Sequence, residues 1–440
     1  MELKIAIIGG YGGMGKLFAK IFKQEGHKVC ITGPTEEKGK HVAKELGVGY
    51  KRDNVDAVKN ADIVIITVPI EVTLDVIKEV APHVPKNSLL MDFTSIKEDP
   101  CKAMKKFAKP GVEIIGTHPV FGPRVGNLEG QVFVLTPIRG KKWLKWLREF
   151  LEKHKCRVFE TTPKEHDRNM AVVQGLTHFA YISIGKTLEQ LNFNVKESRK
   201  ISSPIYELML DMVGRIIGQD PKLYAEIQMQ NPVIPKVHRD FINVAKQLSR
   251  IVKKKDQHAF VEMMTTAAKH FGDVKRAMGR SDKAISSLVS ELELLKNSVG
   301  KEICVEHIYS GKKHLGVVDS VTPDEVVLSD RGKKSALKLS NLRILGDKEK
   351  IKFKAEKFGT VTRDFSVLLN SSVDDSLVAE LLKSFDENIT SVKVKDVYSG
   401  AQIPKDKKSV CFTVEFVNAN PKESESRVKK FFSGIGGGLR

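Results

Sequence analysis

A glycine-rich turn near the start of the chain constrains the fold more than any other feature. The apolar run Ile5–Ile8 is followed by Gly10-Tyr11-Gly12-Gly13-Met14-Gly15, and a helical pattern begins at Lys16. Between a strand and a helix, glycines at this spacing allow a tight turn, a close approach of the backbone to a pyrophosphate, and close packing of the helix on the strand. The N–H groups at the start of the helix then face the phosphates. The pattern predicts a dinucleotide-binding turn whose contacts come from Gly10, Gly12, Gly13, Met14 and Gly15.

Strand and helix patterns alternate through residues 1–161, which predicts a doubly wound, mostly parallel Rossmann sheet of the α/β class. The predicted strands are Ile5–Ile8, Val29–Thr32, Ile63–Val68, Ser88–Asp92 and Glu113–Gly116, with Val132–Leu135 and Arg157–Glu160 extending the sheet. Helical spacing dominates residues 162–298 and predicts an all-helical second domain. Short β-like runs in residues 299–347 predict a small antiparallel β-barrel, and residues 348–440 follow the order of a ferredoxin-like α+β module.

Charge and cysteine content narrow the class of protein. The 440 residues carry a net charge of +19, but residues 299–440 hold 25 basic and 20 acidic residues, so the excess is spread thinly and forms no basic tail. A diffuse positive field favours anionic substrates and cofactors. The five cysteines are scattered without zinc spacing, and no uncharged apolar run is long enough to span a membrane. These features predict a reduced cytoplasmic protein with no metal site and no membrane contact.

The end of the second predicted strand leaves the cofactor open between NAD and NADP. An acidic residue at this point would bind the adenosine ribose of NAD, whereas the chain reads Thr32-Gly33-Pro34-Thr35-Glu36-Glu37-Lys38. The hydroxyls of Thr32 and Thr35 and the ammonium group of Lys38 suit a 2′-phosphate. The carboxylate of Glu36 suits a ribose hydroxyl, so both cofactors remain as alternatives.

Three later strands end in segments that face the same crevice, because ligands bind beyond the carboxyl ends of parallel strands. Val68-Pro69 ends one strand and is expected to contact the nicotinamide half of the cofactor, although core packing also accounts for Val68. Asp92-Phe93-Thr94-Ser95 and Gly116-Thr117-His118-Pro119-Val120-Phe121-Gly122-Pro123 end two others. Together with the glycine turn, these segments resemble the prephenate dehydrogenase family over residues 1–297.

The resemblance implies oxidative decarboxylation of prephenate to 4-hydroxyphenylpyruvate, with hydride transfer to NAD(P)⁺, in tyrosine biosynthesis. As the hydride leaves, the ring hydroxyl becomes carbonyl-like, so a neutral imidazole must accept its proton. His118 matches the catalytic histidine of the family, and Ser95 matches a serine that binds the same hydroxyl and orients the histidine. Ser95-Ile96-Lys97-Glu98 also has the spacing of a capping box, a structural role that is compatible with catalysis. His166 and Asp167 are expected to organise the start of the helical domain.

The substrate implied by the resemblance is a small dicarboxylate, and the helical domain is expected to bind it and to form a homodimer. His178 matches a substrate-binding histidine, Arg215 a carboxylate-binding arginine, and Tyr224 an aromatic wall of the pocket. Arg215 also lies four residues from Asp211, the spacing of a surface salt bridge. Arg124 follows the His-Pro segment, where relatives often carry an acid, and a cation there favours prephenate over arogenate.

Residues from Phe353 onward resemble the ferredoxin-fold anticodon-binding domain of the phenylalanyl-tRNA synthetase β-chain. The matching stretches include Val361–Ser366, Asp396–Gly400 and Ile403-Pro404. Fold alone does not determine function, so three roles stay open: binding of an amino-acid effector, contact with RNA, and stabilisation of the dimer. The net charge of +5 over residues 299–440 is small for phosphate-driven RNA binding, which favours a regulatory or structural role.

The sequence therefore predicts an NAD(P)-dependent prephenate dehydrogenase. Arogenate is the alternative substrate, and a 2-hydroxyacid or 6-phosphogluconate-like dehydrogenase is the alternative among Rossmann enzymes. Those enzymes usually rely on a lysine of the helical domain, whereas this chain offers His118. A tRNA-binding adaptor with a vestigial dehydrogenase is the alternative from another class, and the intact Gly10, His118 and Arg215 argue against it.

Overall fold

The computed structural model describes residues 2–400 and 402–439, apart from the side chains of residues 288 and 289. The chain divides into two compact units, Met1–Ser281 and Asp282–Arg440. Within the described ranges, no helix combines the length and the apolar character that crossing a membrane requires.

An eight-stranded sheet forms the centre of the first unit, in the order β3-β2-β1-β4-β5-β6-β7-β8. The strands are β1 Lys4–Ile8, β2 Lys28–Ile31, β3 Gly49–Tyr50, β4 Ile63–Ile66, β5 Leu89–Asp92, β6 Glu113–Pro119, β7 Val132–Arg139 and β8 Arg157–Glu160. Neighbouring strands are parallel except β6 and β7, which pair antiparallel. The strand order reverses between β1 and β4, so the predicted doubly wound Rossmann sheet is confirmed, with a binding crevice at that point.

Helices cover both faces of this sheet because successive strand residues point to opposite sides. Ile5 and Ile7 of β1 pack in one apolar layer, and Ala6 and Ile8 pack in the other. Helices of the first layer are α1 Gly13–Gln24, α2 Glu36–Leu46 and α6 Lys142–Lys153; those of the second are α3 Asn54–Val58, α4 Ile70–Val80 and α5 Glu98–Phe107. Each fully buried Ile, Leu or Phe of these layers contributes about 1.5–3 kcal/mol through removal of apolar surface from water.

The predicted helical domain is also confirmed. Its elements are α7 Pro163–Met170, a π-helix Ala171–Leu176, α8 Thr177–Gln190, α9 Val195–Ser198, α10 Pro204–Ile217, α11 Pro221–Gln230, α12 Ile234–Lys254, α13 Gln257–Phe271 and α14 Val274–Lys296. A Cβ at Gly175 of the π-helix would lie only 2.6 Å from Cγ1 of Ile234. Glycine therefore allows α12 to approach the π-helix closely.

The second unit begins with a five-stranded antiparallel sheet, in the order β12-β11-β10-β9-β13. Its strands are β9 Glu302–His307, β10 Lys313–Val321, β11 Glu325–Asp330, β12 Lys333–Lys338 and β13 Leu342–Ile344. Val305, Val318 and Val326 form the centre of its apolar core. The antiparallel pairing agrees with the prediction, while closure of the sheet into a barrel stays a prediction.

A ferredoxin-like module follows, with the sheet order β15-β16-β14-β17. Its elements are α15 Asp347–Phe358, β14 Thr360–Asn370, α16 Asp375–Phe385, β15 Ile389–Tyr398, β16 Lys407–Val417, α17 Pro421–Gly434 and β17 Gly438–Leu439. Helices α16 and α17 bury Leu382 and Phe432 against one face of this sheet. The buried Lys354 of α15 binds Glu302 of β9 at 2.6 Å, which ties the module to the preceding sheet.

Candidate active site

The glycine turn after β1 has the shape that a bound dinucleotide requires. A Cβ at Gly10 would lie 2.6 Å from Cβ of Ile31, and one at Gly15 would lie 2.6 Å from Cα of Gly10, so both positions exclude side chains. A Cβ at Gly12 would meet only the carbonyl oxygen of Gly9, at 3.2 Å. Gly12 is also the N-cap of α1, and no side chain caps this helix. The turn is therefore held by packing on one side and presents backbone N–H groups on the other, which fits a pyrophosphate.

Two further segments support this turn. Thr32 is fully buried, and its hydroxyl accepts from the N–H of Gly9 at 3.4 Å and donates to Asn54 at 2.7 Å. Through its hydrogen bond with Gly9, Thr32 thus stabilises the conformation of the turn. After β4, a Cβ at Gly9 would lie 2.8 Å from Cγ1 of Val68, while the exposed Pro69 forms the N-cap of α4.

His118 lies within β6, because this strand continues to Pro119 and pairs His118 with Val134 of β7. The predicted strand ended earlier, at Gly116. The side chain is 2% exposed. The segment after the strand returns to the glycine turn, where a Cβ at Gly13 would lie 2.7 Å from Cγ of Pro123. His118 and the dinucleotide turn therefore belong to one crevice at the carboxyl end of the sheet.

A chain of contacts through α7 fixes the protonation of His118. Nδ1 of His118 lies 2.9 Å from Nε2 of His166, and Nδ1 of His166 lies 2.7 Å from Oδ1 of Asp167. The carboxylate accepts a hydrogen bond from Nδ1–H of His166, so Nε2 of a neutral His166 accepts a hydrogen bond from Nδ1–H of His118. The remaining nitrogen, Nε2 of His118, then carries a lone pair. It lies 3.4 Å from Nε2 of Gln174 in the π-helix.

Asp167 also determines where α5 begins. Its two carboxylate oxygens accept from the backbone N–H of Lys97 at 2.7 Å and of Glu98 at 2.9 Å. The predicted capping box at Ser95 is therefore wrong, because α5 starts at Glu98 with Lys97 as its N-cap. A carboxylate from another element takes the place of the serine hydroxyl, and the half-buried Ser95 stays in the turn between β5 and α5.

A buried ion pair lies beside these histidines. Lys97 and Asp92 are fully buried and form a salt bridge, and Thr94 binds both of them. Burial, the neighbouring His166 and the charge of Lys97 together hold the pKa of His118 well below its ordinary value of 6.5. Burial likewise lowers the pKa of His166, against the opposing effect of Asp167. The site thus contains a neutral imidazole that is ready to accept a proton.

The predicted substrate-binding residues His178, Tyr224 and Arg215 all lie in the helical domain. The rings of His178 and Tyr224 are 4.5 Å apart and meet edge to face. Burial lowers the pKa of His178 to about 4, and its Nδ1 is buried without a hydrogen-bond partner among the described residues. Burial raises the pKa of Tyr224, partly offset by the charge of Arg215. These three side chains therefore form one group at the ends of α8, α10 and α11.

The two predicted arginines occupy different surroundings. Arg215 is exposed on α10, and the alternative salt bridge to Asp211 is absent from the described ion pairs, because Asp211 binds Arg199 at 2.8 Å. Arg124 is exposed in the segment that follows β6, next to Pro123. Sequence reasoning did not assign Lys97 and Gln174 to the site and gave His166 and Asp167 only a structural role. The sequence gives no signal for Lys97, because a lysine near the start of a helix is normally exposed.

Family models match almost the whole first unit and the end of the second. "Prephenate dehydrogenase, nucleotide-binding domain" matches residues 18–160, and "Prephenate dehydrogenase, dimerization domain" matches residues 162–266. The chain belongs to the prephenate dehydrogenase family. It is an oxidoreductase of that family with NAD or NADP as its cofactor. "Ferredoxin-fold anticodon binding domain" matches residues 356–438, in agreement with the resemblance of the C-terminal module.

Relatives extend this assignment over the full chain. A protein of Methanocaldococcus jannaschii named "Probable arogenate/prephenate dehydrogenase" is 46% identical over 99% of this chain and 98% of its own. The "T-protein" of Haemophilus influenzae is 30% identical over 66% of this chain and 73% of its own. Among solved structures, prephenate dehydrogenase from A. aeolicus aligns with a TM-score of 0.53 at 20% identity, over 62% of this chain and 99% of that one. This last likeness shows that the family fold spans the first unit.

Proposed function

We propose that this family member oxidises prephenate to 4-hydroxyphenylpyruvate and carbon dioxide. The observation that carries the proposal is the buried, neutral His118, whose Nδ1 is engaged by His166 and whose Nε2 faces the π-helix beside the dinucleotide turn. A base with a lone pair on Nε2, placed beside a hydride acceptor, suits removal of a proton from a hydroxyl as hydride leaves the same carbon.

His118 acts on the ring hydroxyl of the substrate. Its Nε2 accepts the hydroxyl proton while the carbon that bears this hydroxyl loses hydride. Cleavage of the bond to the departing carboxylate then supplies the electrons that make the ring aromatic, and the imidazolium returns the proton to the resulting phenolate oxygen. Bound NAD(P)⁺ supplies the hydride acceptor for this step. The amide of Gln174 lies where the hydroxyl would approach, 3.4 Å from Nε2. Asp167 favours the imidazolium as it forms, because its anionic carboxylate lies at the far end of the chain and acts through His166.

The cofactor is held by the turn after β1. Backbone N–H groups of Gly13 and Met14, at the start of α1, bind the pyrophosphate. Gly12, whose own N–H donates to the carbonyl of Gly9 at 2.9 Å, allows the close approach, while Gly10 and Gly15 allow α1 to pack on the sheet. The segment of Val68 and Pro69 lies on the nicotinamide side, beyond β4 at the point where the strand order reverses. Thr32 supports the turn from behind.

The substrate carboxylates are bound from the helical side. Arg215 offers a planar guanidinium for one of them, and Arg124 adds a positive charge at the opposite lip of the crevice. His178 and Tyr224 form the wall between, and the unpaired Nδ1 of His178 provides a hydrogen-bonding group for the substrate. Ser95 approaches from the turn after β5 and is assigned to the ring hydroxyl.

Reduction of NAD⁺ and NADP⁺ at 340 nm in the presence of prephenate tests the proposal. His118→Asn is expected to lower kcat by about 10²–10⁴-fold, because the proton acceptor is lost, while prephenate still binds. His41→Asn is the matched control, since His41 is exposed on α2 and should leave kcat unchanged. An unchanged rate in His118→Asn, or no reduction by the wild-type protein, would overturn the proposal.

Arogenate is the second candidate substrate, because the 46%-identical relative carries both substrates in its name. Arogenate has an ammonium group where prephenate has a keto group. The cation of Arg124 near the crevice disfavours that group. We therefore expect a higher kcat/KM with prephenate, and the same assay with arogenate gives the comparison.

We propose that the chain forms a homodimer through its helical domain. The family model for residues 162–266 is described as a dimerization domain. Exposed apolar side chains on α12 and α13 supply a surface that association would cover.

The five cysteines are free thiols, which is compatible with the reducing cytoplasm that we propose as the location.

For the C-terminal module we propose a regulatory or structural role. The sheet face opposite α16 and α17 carries the small polar side chains of Ser366, Ser409 and Thr413, together with the exposed Tyr398, which pairs with Ser409. It therefore offers few of the aromatic or arginine side chains on which bases of single-stranded RNA stack. Filter binding with phenylalanine tRNA at moderate salt tests the alternative. Retention of the tRNA at micromolar protein would favour the RNA-binding role instead.

A further inference from the structure

The end of β2 bears on which of the two cofactors the enzyme takes, an inference that rests on the proposed dehydrogenase function. In a Rossmann sheet this position lies against the adenosine ribose, where an acid binds the 2′-hydroxyl of NAD and a cation accommodates the 2′-phosphate of NADP. The residues after β2 run from Thr32 to Lys38, and β3 ends beside them. The side chains at this edge therefore determine which adenosine is bound.

Glu36, the acid expected to bind the ribose, is already paired with a lysine of its own helix. Glu36 is the first residue of α2, and its carboxylate binds Lys40, one turn further along the helix, at 2.7 Å. This hydrogen bond, with the positive charges of Lys40 and Arg52, lowers the pKa of Glu36. The two oxygens of this carboxylate thus face Lys40 at 2.7 Å and Arg52 at 3.8 Å, so these cations compete with a ribose 2′-hydroxyl for Glu36.

Lys38 is positioned toward the ribose by the glycine turn. Its Nζ lies 4.9 Å from the centre of the Tyr11 ring, a cation–π distance. Tyr11 is itself fixed, because its hydroxyl accepts from the N–H of Thr35 at 3.2 Å and a Cβ at Gly33 would lie only 2.0 Å from its ring. The turn that binds the pyrophosphate therefore also places an ammonium group beyond β2.

Arg52 provides a second cation at the same edge. It comes two residues after Tyr50, which pairs with Ile31 at the end of β2 and donates its hydroxyl to the carbonyl of Gly33 at 3.1 Å. The guanidinium is mostly exposed, with Glu36 3.8 Å away. We propose that the enzyme prefers NADP⁺ to NAD⁺, because Lys38 and Arg52 flank the place beyond β2 where the adenosine 2′-phosphate binds. A doubly negative phosphate between an ammonium and a guanidinium group gains charge-assisted hydrogen bonds from both.

Titration calorimetry with adenosine 2′,5′-bisphosphate and with AMP tests this proposal, because the two nucleotides differ only in the 2′-phosphate. The full-length wild-type protein is expected to bind the bisphosphate at least about 10-fold more tightly. Lys38→Met and Arg52→Gln should each reduce that preference by about 10-fold, with AMP affinity unchanged. Lys44→Met, an exposed lysine two turns along α2, is the matched control and should keep the preference.

A charge-preserving and a charge-reversing variant of Lys38 distinguish loss of the charge from loss of the fold. Lys38→Arg should keep most of the preference, whereas Lys38→Glu should reverse it. Equal binding of both nucleotides by the wild type, or a full preference in the Lys38→Met/Arg52→Gln double variant, would overturn the inference. Because the titration contains no prephenate, a protein that prefers the bisphosphate but does not oxidise prephenate would overturn the proposed function alone. One that oxidises prephenate equally well with NAD⁺ would overturn the cofactor preference alone.

Discussion

The ionisation of His118 depends on buried groups that come from three separate elements. Lys97 follows β5, His166 and Asp167 belong to α7, and His118 lies in β6, one residue before its end. Desolvation of the imidazole disfavours its charged form, and the ammonium group of Lys97 adds electrostatic repulsion. The anionic Asp167 acts in the opposite direction, but through His166 rather than directly. The imidazole is therefore neutral at rest, and Asp167 offsets part of this repulsion when the imidazole takes a proton from substrate.

This arrangement predicts a pH profile without an inflection near 6.5. Because the pKa of His118 lies well below 6.5, the neutral form predominates at that pH and the proton acceptor is lost only as pH falls further. As the pH is lowered from 8 to 6.5, kcat/KM for prephenate is expected to stay constant. Initial rates with saturating cofactor across this range provide the measurement. An acid limb centred at 6.5 or above would contradict the assigned environment of His118.

Only part of this residue-scale picture could be predicted from the sequence. The Gly-Thr-His-Pro segment indicates His118 directly, since its residue types have a chemical reason to occur together. Lys97 gives no such signal, because a lysine near a helix start is normally exposed, whereas this side chain packs against β6, where a Cβ at Gly116 would lie 3.2 Å from its Cδ. Thr32 was predicted at the cofactor, and its buried contact with Asn54 depends on a residue 22 positions away.

At the scale of elements, the π-helix between α7 and α8 positions one side of the site. The wider turn of a π-helix displaces side chains from the α-helical spacing, and such segments are frequent at functional sites. Gln174 lies on this segment and faces Nε2 of His118. Outside contacts stabilise it, since the carbonyl of Gly175 accepts from Gln228 at 3.2 Å and Ile234 packs against Gly175. The helical spacing of apolar residues in the sequence does not distinguish this segment from an ordinary α-helix.

Asp167 links two elements, so its substitution separates stability from catalysis. Asp167→Ala leaves the first N–H groups of α5 without their acceptor and is expected to cost about 1–3 kcal/mol of unfolding free energy. Asp167→Asn keeps one oxygen acceptor but no charge, so His166 loses its fixed tautomer and kcat should fall by about 10²-fold or more. Thermal unfolding and kcat of both variants provide the measurements.

Asp374 offers the matched control for this pair of effects. Its carboxylate also accepts from two backbone N–H groups, of Ser376 and Leu377, at the start of α16 in the second unit. Asp374→Ala should destabilise that unit by a similar amount and leave kcat unchanged. Wild-type kcat in Asp167→Asn would show that His166 needs no charged partner, and the proposed proton chain would have to be abandoned.

At the scale of the whole molecule, the order of strands and helices along the chain is far more predictable from the sequence than the pairing of the strands. The alternation of buried strands and helices indicates the doubly wound sheet, since each strand is covered on both faces. The antiparallel pairing of β6 with β7 and the two-residue strand β3 were not predicted. Both depend on contacts between segments distant in sequence, as does the start of α5, where a carboxylate from α7 replaces the expected serine cap.

The helices of the dimerization domain provide a prediction for the assembly. Val261 and Met264 lie one turn apart on α13 and are 55% and 64% exposed, and α12 exposes Val244 and Val252 as well. Apolar surface of this kind is stabilised by association with a second copy. Light scattering should therefore give a mass about twice the 49.1 kDa of the chain. The double variant Val261→Glu/Met264→Glu should reduce that mass to the monomer value, because two buried carboxylates would lie unpaired in the interface. The control variant Glu262→Gln, on the same helix, should keep the mass of the dimer. A monomeric wild type would contradict the homodimer, and a dimeric double variant would move the interface away from this face of α13.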